Sequence, residues 1–319
     1  MRFNGFIAVL LLAIAIAWFL PQGPEHLPLS TITDIGIGFI FLFYGLKLSP
    51  SQFKTGFKNY KAHIVIQTCT FIVFPLLALA AIPLFDGGST SEVWLALFFL
   101  GALPSTVSSS VVMVSLARGN VPTAIFNASI SGLIGIVVTP LWMGLFLSGS
   151  DELQFGNIVF KFFVQIILPL LIGLILQPSF GERARKYNRE LGLFDKCIII
   201  LIVYTSFSNS FTSGLFSFLD PEELLKLFLL VLLMFVIVFL GTGWISKFLR
   251  FSKEDRIAVQ FCGTKKSLVH GSVMVKVIFG NSANLGLMLL PVMLYHTIQL
   301  LLIAVVAERY RKQNADRAS

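Results

Sequence analysis

The sequence contains ten apolar stretches, each long enough to cross a lipid bilayer as a helix. They lie at 4–20, 29–48, 62–84, 92–116, 122–147, 156–177, 191–213, 222–248, 256–279 and 285–307. A helix needs about 20 residues to span the hydrocarbon core. Only 13% of the 319 residues are charged, against about 25% in soluble domains. We therefore expect an all-α polytopic membrane protein, with one membrane domain over residues 1–319 and no soluble module.

The charges between these stretches alternate in sign along the chain. Lys and Arg concentrate in every second loop, and Asp and Glu concentrate in the loops between. Because cytoplasmic loops are enriched in Lys and Arg, the pattern predicts that both termini are cytoplasmic, with a tail at 308–319. The expected location is a bacterial inner membrane or plasma membrane. The net charge of +8 is then explained by the orientation of the helices in the membrane and by contact with anionic lipid, and no nucleic-acid partner is expected.

The fourth and ninth stretches contain related segments, roughly half the chain length apart. Residues 110–120 (SVVMVSLARGN) and 271–281 (GSVMVKVIFGN) share Val, Met, Val, Gly and Asn at equal spacing. Ten spans divide into five plus five, and a five-helix unit crosses the membrane an odd number of times. Its second copy must therefore insert upside down. We expect two inverted repeats, at 1–150 and 151–310.

The same two stretches are interrupted near their centres. Residues 101–110 (GALPSTVSSS) and 262–267 (CGTKKS) each place helix breakers beside a polar run. Backbone groups freed in this way are tolerated at membrane depth only where they line a cavity. The alternative is a kinked helix whose hydroxyls bond back to their own turn. Two breaks at equivalent positions favour a binding site.

With these features the chain resembles the bile acid:sodium symporter family. The resemblance covers the whole ten-helix plan and rests most specifically on the sequence Leu-Ala-Arg-Gly-Asn at 116–120, with 70–75 (TFIVFP) as support. It implies a panel domain, a core domain in which the fourth and ninth helices cross, and transport by alternating access. The residues 103–110 and 261–267 resemble a branch of the family whose substrate is not expected to be bile acid.

The departures from the family pattern lie in the third helix, where Thr70 replaces a glutamine, in the fourth, where Ser109-Ser110 replaces a Ser-Asn pair, and above all in the ninth. Members that couple to sodium have Glu-x-Gly-x-Gln-Asn there, and its oxygens hold the ions. Aligned on Gly263, this chain has Phe261 for the glutamate and Lys265-Lys266 for the Gln-Asn pair. An ammonium at that place would repel sodium or occupy the position of the ion as a tethered cation. We expect that Lys265, or Lys266, replaces one sodium; the alternative is that both side chains reach the cytoplasmic interface.

A reduced sodium site is still expected from oxygen-bearing side chains of the third, fourth and fifth helices. Its candidate ligands are Gln67, Thr70, Ser109, Ser110, Asn127 and Ser131. Sodium-coupled symport through this site is the first expectation, and a proton-coupled or uncoupled carrier is the alternative. No other cofactor or metal is expected.

The expected substrate is a small organic, amphipathic anion. Helix N-termini at the two breaks and the buried lysines both favour negative charge. The candidate substrate-binding or coupling residues are Ser105, Thr106, Ser108, Thr264, Lys265, Lys266, Ser267 and His270. We expect His63 and His296 near helix ends, at the membrane interface. No interface motif stands out, so the sequence predicts no oligomeric state.

Two other classes of function are alternatives to transport. A membrane enzyme needs carboxylates for Mg²⁺ or a His/Asp pair, and no acidic residue is expected at mid-membrane, so an enzyme is not expected. A regulatory membrane protein that keeps a carrier fold without transport stays an alternative because of the Lys-Lys substitution.

Overall fold

The computed structural model describes residues 5–21, 28–48, 59–106, 108–147, 160–161, 163–214, 221–280 and 284–315, and among these residues it contains helices and no strand. Seven helices in these ranges are long and apolar enough to cross a membrane. Shorter apolar helices occur at Ala8–Phe19 and Glu92–Ala102. The chain is therefore a polytopic membrane protein.

The helices are numbered here in chain order. They are α1 (Gly5–Phe19), α2 (Leu29–Lys47), α3 (Tyr60–Thr68), α4 (Phe74–Ala80), α5 (Glu92–Ala102), α6 (Ser108–Leu116), α7 (Val121–Leu147), α8 (Leu168–Lys186), α9 (Asn188–Thr212), α10 (Pro221–Phe248), α11 (Lys253–Thr264), α12 (Leu268–Phe279) and α13 (Leu285–Ala315). A π-helical segment, Cys69–Val73, joins α3 to α4, and a second one, Phe163–Ile167, precedes α8.

Both predicted interruptions are present. The fourth stretch is divided into α5 and α6, and the ninth is divided into α11 and α12. The ten-helix plan with two inverted repeats stays a prediction. The start of the sixth stretch, the last residue of the 271–281 segment, the end of the tail (316–319) and the loops at 49–58, 148–159 and 215–220 lie outside the described residues.

The chain forms two compact units, each built from separate parts of the sequence. The first unit contains Met1–Ser49, Gly144–Pro221 and Gly271–Leu290. The second contains Pro50–Met143, Glu222–His270 and Pro291–Ser319. Each unit therefore combines parts of both predicted halves, 1–150 and 151–310.

Close backbone approach holds α2 against α8 in the first unit. A Cβ added to Gly45 would lie 2.5 Å from the Leu170 oxygen, and one added to Gly173 would meet the Leu42 carbonyl. Small residues let membrane helices pack at such short range, where lipid supplies no hydrophobic drive for association. The Lys47 ammonium lies 3.5 Å from the Asp195 carboxylate and joins α2 to α9.

The second unit has α5 at its centre. Trp94, Phe98 and Phe99 are fully buried, and the Trp94 indole donates to the Ala78 oxygen at 2.8 Å. By contrast, α10 presents large apolar side chains such as Leu233, Leu240 and Trp244 outward. An exposed apolar face of this kind suits lipid, so α10 encloses the unit on its membrane side.

The Leu-Ala-Arg-Gly-Asn turn after α6 has a structural role in the second unit. The Asp255 carboxylate accepts hydrogen bonds from Asn59 and Asn120 at 2.7 Å each and from Ser252 at 2.9 Å. The Asn120 N–H also donates to the Glu254 oxygen at 3.0 Å. We call Asn59, Asn120, Ser252 and Asp255 the Asp255 clasp. It ties the start of α3 and the turn after α6 to the start of α11.

Candidate functional site

The two helix breaks are bonded to each other inside the second unit. The Ser267 N–H donates to the Pro104 oxygen at 2.9 Å. The Ser105 hydroxyl donates to the Cys262 oxygen at 2.8 Å. Extended backbone at the end of α5 therefore meets extended backbone at the end of α11, and each satisfies polar groups that the other has left without helical partners.

The helix after the broken pair α5 and α6 supports the first break. In α7, the Ser131 hydroxyl accepts from the Ser105 N–H at 2.9 Å, and the Thr139 hydroxyl donates to the Ala102 oxygen at 2.8 Å. Gly135 of α7 lies directly against the Pro104 ring. The segment after α5 is therefore held open by side chains rather than by helical hydrogen bonds.

The helix after the broken pair α11 and α12 has the same role at the second break. The Tyr295 hydroxyl of α13 donates to the Thr264 oxygen. The Gln299 side chain pairs with the main chain of Lys266: its Oε1 accepts from the N–H at 2.8 Å, and its Nε2 donates to the carbonyl at 2.8 Å. The Gln299 Nε2 also lies 2.9 Å from Nδ1 of His296. An amide nitrogen only donates, so the His296 Nδ1 accepts.

The Lys266 ammonium is surrounded by backbone carbonyls. Its Nζ donates to the oxygens of Thr70 at 2.8 Å, Gly101 at 2.7 Å and Leu103 at 2.7 Å. It also lies 4.2 Å from the centre of the Phe74 ring. Three acceptors require three N–H groups, which only the charged ammonium has. The carbonyls at the end of α5 carry the negative pole of the helix, which stabilises a cation there.

The sequence explains why the carbonyls of Thr70 and Gly101 lack helical partners. The Phe74 N–H bonds to the Cys69 oxygen in the π-helical segment, and Pro75, next along the chain, has no N–H to offer Thr70. At the first break, the N–H of Ser105 is bonded to Ser131 instead of to Gly101. A π-bulge and a helix break therefore leave acceptors free, and Lys266 binds them.

The Lys265 ammonium has a sparser environment. Its side chain is also fully buried, and its Nζ donates to the Ser109 oxygen at 2.6 Å. Within the described part of the chain this is its one hydrogen bond, so two of its N–H groups stay available for a ligand. Among the same residues, neither Lys265 nor Lys266 lies within ion-pair distance of a carboxylate.

The predicted ion ligands fall into two groups. Ser109, Ser110, Ser131 and Thr70 lie around the breaks, and of these Ser110 donates to the Thr106 oxygen and Thr70 to the Ile66 oxygen, at 2.8 Å each. Asn127 and Gln67 form a separate group with His63. In it, the Asn127 Nδ2 lies 2.6 Å from the His63 ring, and Gln67 donates to the Asn127 Oδ1 at 3.2 Å.

Two oxygens of this predicted set are buried without a hydrogen-bond partner in the described structure. They are the Ser109 Oγ and the Gln67 Oε1. The His63 side chain is only 8% exposed, and its expected place at the membrane interface stays a prediction. His63 does lie near the start of α3, as expected.

The predicted substrate residues have defined partners as well. Thr264 donates to the Gln260 oxygen at 2.6 Å. Ser267 caps the start of α12: its Oγ accepts from the His270 N–H at 3.2 Å and lies 2.9 Å from the His270 Nδ1. Thr106 contributes its carbonyl to Ser110, and the side chain of Ser108 lies outside the described residues. The alternative that both lysines extend to the cytoplasmic interface is wrong, because Lys265 and Lys266 are 0% and 1% exposed.

Sequence reasoning missed the contribution of α13. Tyr295, His296 and Gln299 lie on one face of this helix at spacings of three and four residues, and two of them bind the second break. His296 lies well inside the helix, so its expected place near a helix end is wrong. Three polar side chains at helical spacing in an apolar stretch were the available signal.

Comparison with known proteins places the chain among transporters. The model of the SBF-like CPA transporter family matches residues 4–312. An uncharacterised protein of Pseudomonas aeruginosa is 38% identical over 320 residues, which cover 99% of this chain and 95% of that protein. Sodium/bile acid cotransporter 7 of Xenopus tropicalis is 31% identical over 320 residues, 96% of this chain and 91% of that protein. The protein of the same name in Rattus norvegicus is 30% identical over 319 residues, with 96% and 92% covered.

Proposed function

The chain belongs to the SBF-like CPA transporter family, and from this premise we propose that it is a secondary carrier of small organic anions in which buried lysines supply the positive charge of a bound cation. Relatives that cover nearly the whole chain are named sodium/bile acid cotransporter 7. These names indicate a transporter rather than an enzyme. The names do not identify the substrate or the coupling ion of this chain, so both are inferred from its own residues.

The observation that carries the proposal is a pair of adjacent, fully buried lysines without an acidic partner among the described residues. A buried charge is costly unless it is paired, and unpaired charges at membrane depth mark ligand sites. The Lys266 ammonium is satisfied by three carbonyls. The Lys265 ammonium has one acceptor, so Lys265 is the residue that binds the carboxylate or sulfonate of the substrate.

Lys266 takes the position of a cation in this proposal. Backbone carbonyls at helix ends are typical ligands of alkali ions in carriers, where unwound backbone and helix C-termini coordinate them. Three such carbonyls converge on the Lys266 Nζ. Because the tethered ammonium already neutralises them, this position needs no sodium ion. The sequence expectation favoured Lys265 for this role, and the contacts favour Lys266.

We also propose that the chain has ten membrane helices in two inverted repeats, with both termini cytoplasmic. This plan places the two broken helices at equivalent positions. Support comes from the way that α7 and α13, each the helix after a broken pair, bond to the break in that pair. The second unit, which contains the bonded breaks, then corresponds to most of the core domain, while residues 271–279 of α12 belong to the first unit.

Sodium coupling is the second candidate, and one observation favours it. The Ser109 Oγ and the Gln67 Oε1 are buried oxygens without partners in the described structure. Sodium prefers oxygen ligands of this kind, so a reduced site that includes Ser109 would give sodium-coupled anion symport. Lys265 lies next to that site through the Ser109 carbonyl.

The test measures ligand-induced thermal stabilisation of the purified protein in sodium-free choline buffer. The probes are choline benzoate, choline benzenesulfonate and, as a cation of similar size, benzylamine hydrochloride. We expect the two anions to stabilise the wild type and Lys186→Met, whose substituted side chain is exposed, and not Lys265→Met. Equal stabilisation of the wild type and Lys265→Met, or stabilisation by benzylamine alone, would contradict the proposal.

A sodium arm separates the two candidates. Replacing choline by sodium at constant ionic strength should leave the wild-type thermal midpoint unchanged if lysine has replaced the ion. A sodium-dependent rise that disappears in Ser109→Ala would instead support the reduced sodium site. Uptake of the stabilising anion into proteoliposomes would then distinguish a carrier from a regulatory protein that binds without transport.

A further inference from the structure

His296 is a buried titratable group beside the second break that the proposed function leaves unused. It belongs to α13, and its Nδ1 accepts a hydrogen bond from the Gln299 Nε2 at 2.9 Å. The same Nε2 donates to the Lys266 carbonyl, and the Oε1 of Gln299 accepts from the Lys266 N–H. The protonation state of one ring nitrogen is therefore linked to the backbone at the second break.

We propose that His296 is a proton-binding residue and that Gln299 transmits its protonation to the anion site, so that the proton is the coupling ion of the carrier. The proposal rests on the proposed function for the anion at Lys265, while the proton site itself rests on the hydrogen bonds around Gln299.

The chemistry of the Gln299 amide makes the arrangement sensitive to protonation. Its orientation is determined by Lys266, because the Lys266 N–H requires an acceptor and the Lys266 carbonyl requires a donor. Its Nε2 therefore faces the His296 Nδ1 with an N–H. Protonation of Nδ1 would direct a second N–H at the first. Gln299 must then give up its bond to His296, or rotate its amide and lose both bonds to Lys266.

The His270 ring provides a contrast within the same unit. Its Nδ1 lies 2.9 Å from the Ser267 hydroxyl. A hydroxyl either donates or accepts, so this contact can persist in both protonation states of His270. Of the two contacts, only the one between His296 and Gln299 is incompatible with a protonated ring.

The charge on Lys265 connects the proton site to the anion site. Lys265 directly precedes Lys266, whose main chain Gln299 binds, so the charge of Lys265 lies next to the segment that His296 and Gln299 support. The Lys266 Nζ is directed to the carbonyls of Thr70, Gly101 and Leu103. An anion bound at Lys265 offsets that charge and favours protonation of His296. By thermodynamic linkage, protonation of His296 strengthens anion binding by the same factor. The proton and the anion then bind together, as proton-coupled symport requires.

The experiment has one arm without an organic anion. The thermal midpoint is measured in choline buffer from about pH 8.5 to about pH 5.5, the range in which histidine ordinarily changes charge. The variants are His296→Asn, whose Oδ1 can accept from Gln299 but cannot be protonated, and Thr297→Val as a control on the same helix, since the Thr297 hydroxyl bonds back to the Met293 oxygen. We expect the midpoint of the wild type and Thr297→Val to fall towards low pH more steeply than that of His296→Asn. Equal slopes for the wild type and His296→Asn would overturn the proton site.

A second variant keeps this arm decisive if His296→Asn does not fold. In Gln299→Glu a carboxylate faces His296, and a carboxylate accepts from a protonated ring. The pH dependence should then reverse in sign relative to wild type. An unchanged sign would overturn the role of Gln299.

The other arm measures binding of choline benzenesulfonate, because a sulfonate keeps its charge over the whole pH range. We expect the wild type to bind it about fivefold or more tightly at the acidic end, a typical size for coupling between two sites, and His296→Asn to bind it equally at both ends. Equal affinity of the wild type at both ends would overturn the coupling. Absence of binding at every pH would contradict the anion site, while the first arm would still decide the proton site.

Discussion

The side-chain amide of Gln299 forms two hydrogen bonds with the main chain of Lys266, one to its N–H and one to its carbonyl, both of 2.8 Å. Gln299 thus takes the place of the helical partners that Lys266 lacks between α11 and α12. At the first break, Ser131 and Thr139 of α7 satisfy backbone groups in the same way. The positions of both lysines depend on this support from the neighbouring helices.

Replacing Lys266 by Met should destabilise the protein strongly. The substitution leaves the carbonyls of Thr70, Gly101 and Leu103 without their donor, and each unpaired buried carbonyl costs about 1–3 kcal/mol. We expect a loss of about 3 kcal/mol or more in the free energy of unfolding, seen as a large fall in the thermal midpoint. The exposed Lys186→Met should lie close to wild type; similar losses for the two variants would show that the carbonyl contacts contribute little.

Replacing Gln299 by Leu should also destabilise the second unit. Two hydrogen bonds to buried backbone groups are lost, at a cost of about 2–4 kcal/mol. Thr297→Val on the same helix is the matched control, since the Thr297 hydroxyl bonds back to the Met293 oxygen of its own helix. Its effect should stay within about 0.5 kcal/mol. A thermal midpoint for Gln299→Leu no lower than that of Thr297→Val would refute a stabilising role for the two hydrogen bonds between Gln299 and Lys266.

Removing the carboxylate of the Asp255 clasp should loosen the starts of α3 and α11. Asp255→Ala leaves two asparagine amides and one serine hydroxyl without their acceptor. For a half-buried group, we expect a loss of about 2 kcal/mol, at the level of a charged hydrogen bond. Glu254→Ala should be nearly neutral, because Glu254 is exposed and contributes its backbone oxygen to the clasp. Thermal unfolding of the two variants side by side measures the difference, and equal midpoints would rule the clasp out as a stabilising feature.

A methyl group at Gly45 should separate α2 from α8. The Cβ of Gly45→Ala would lie 2.5 Å from the Leu170 oxygen, a backbone atom that cannot rotate away. Gly241→Ala on α10 is the control, since nothing lies within 4 Å of its added Cβ. We expect Gly45→Ala to lower the thermal midpoint and Gly241→Ala to leave it unchanged or slightly raised, because alanine is the better helix former. A midpoint that falls equally in both variants would contradict close packing at Gly45.

The sequence was a reliable guide wherever the deciding physics is local. Apolar stretches predicted the membrane helices, and Pro104 and Gly263 pointed to the breaks that now separate α5 from α6 and α11 from α12. The resemblance to the bile acid:sodium symporter family is confirmed by the family match over residues 4–312. The ligand sets proposed for sodium and for the substrate stay predictions.

Sequence reasoning was weaker for contacts between distant segments. It favoured Lys265 as the tethered cation, whereas Lys266 is the residue that meets three carbonyls. The sequence cannot distinguish two adjacent lysines by their contacts. The direction of each side chain depends on the extended backbone between α11 and α12, which only the structure shows. His296 was expected near a helix end and lies inside α13, although the predicted stretch at 285–307 already placed it away from both ends.

What the sequence determined by itself was the membrane class and the position of both breaks. These follow from hydropathy and from the helix breakers Pro104 and Gly263, which act within a few residues. Only the tertiary structure decided which acceptors meet each ammonium. The Thr70 and Gly101 carbonyls are freed by the π-helical segment and by the break after α5, yet they reach Lys266 only because packing brings these segments to the end of α11. Hydrogen bonds between distant segments depend on that packing, and no periodicity in the chain encodes it.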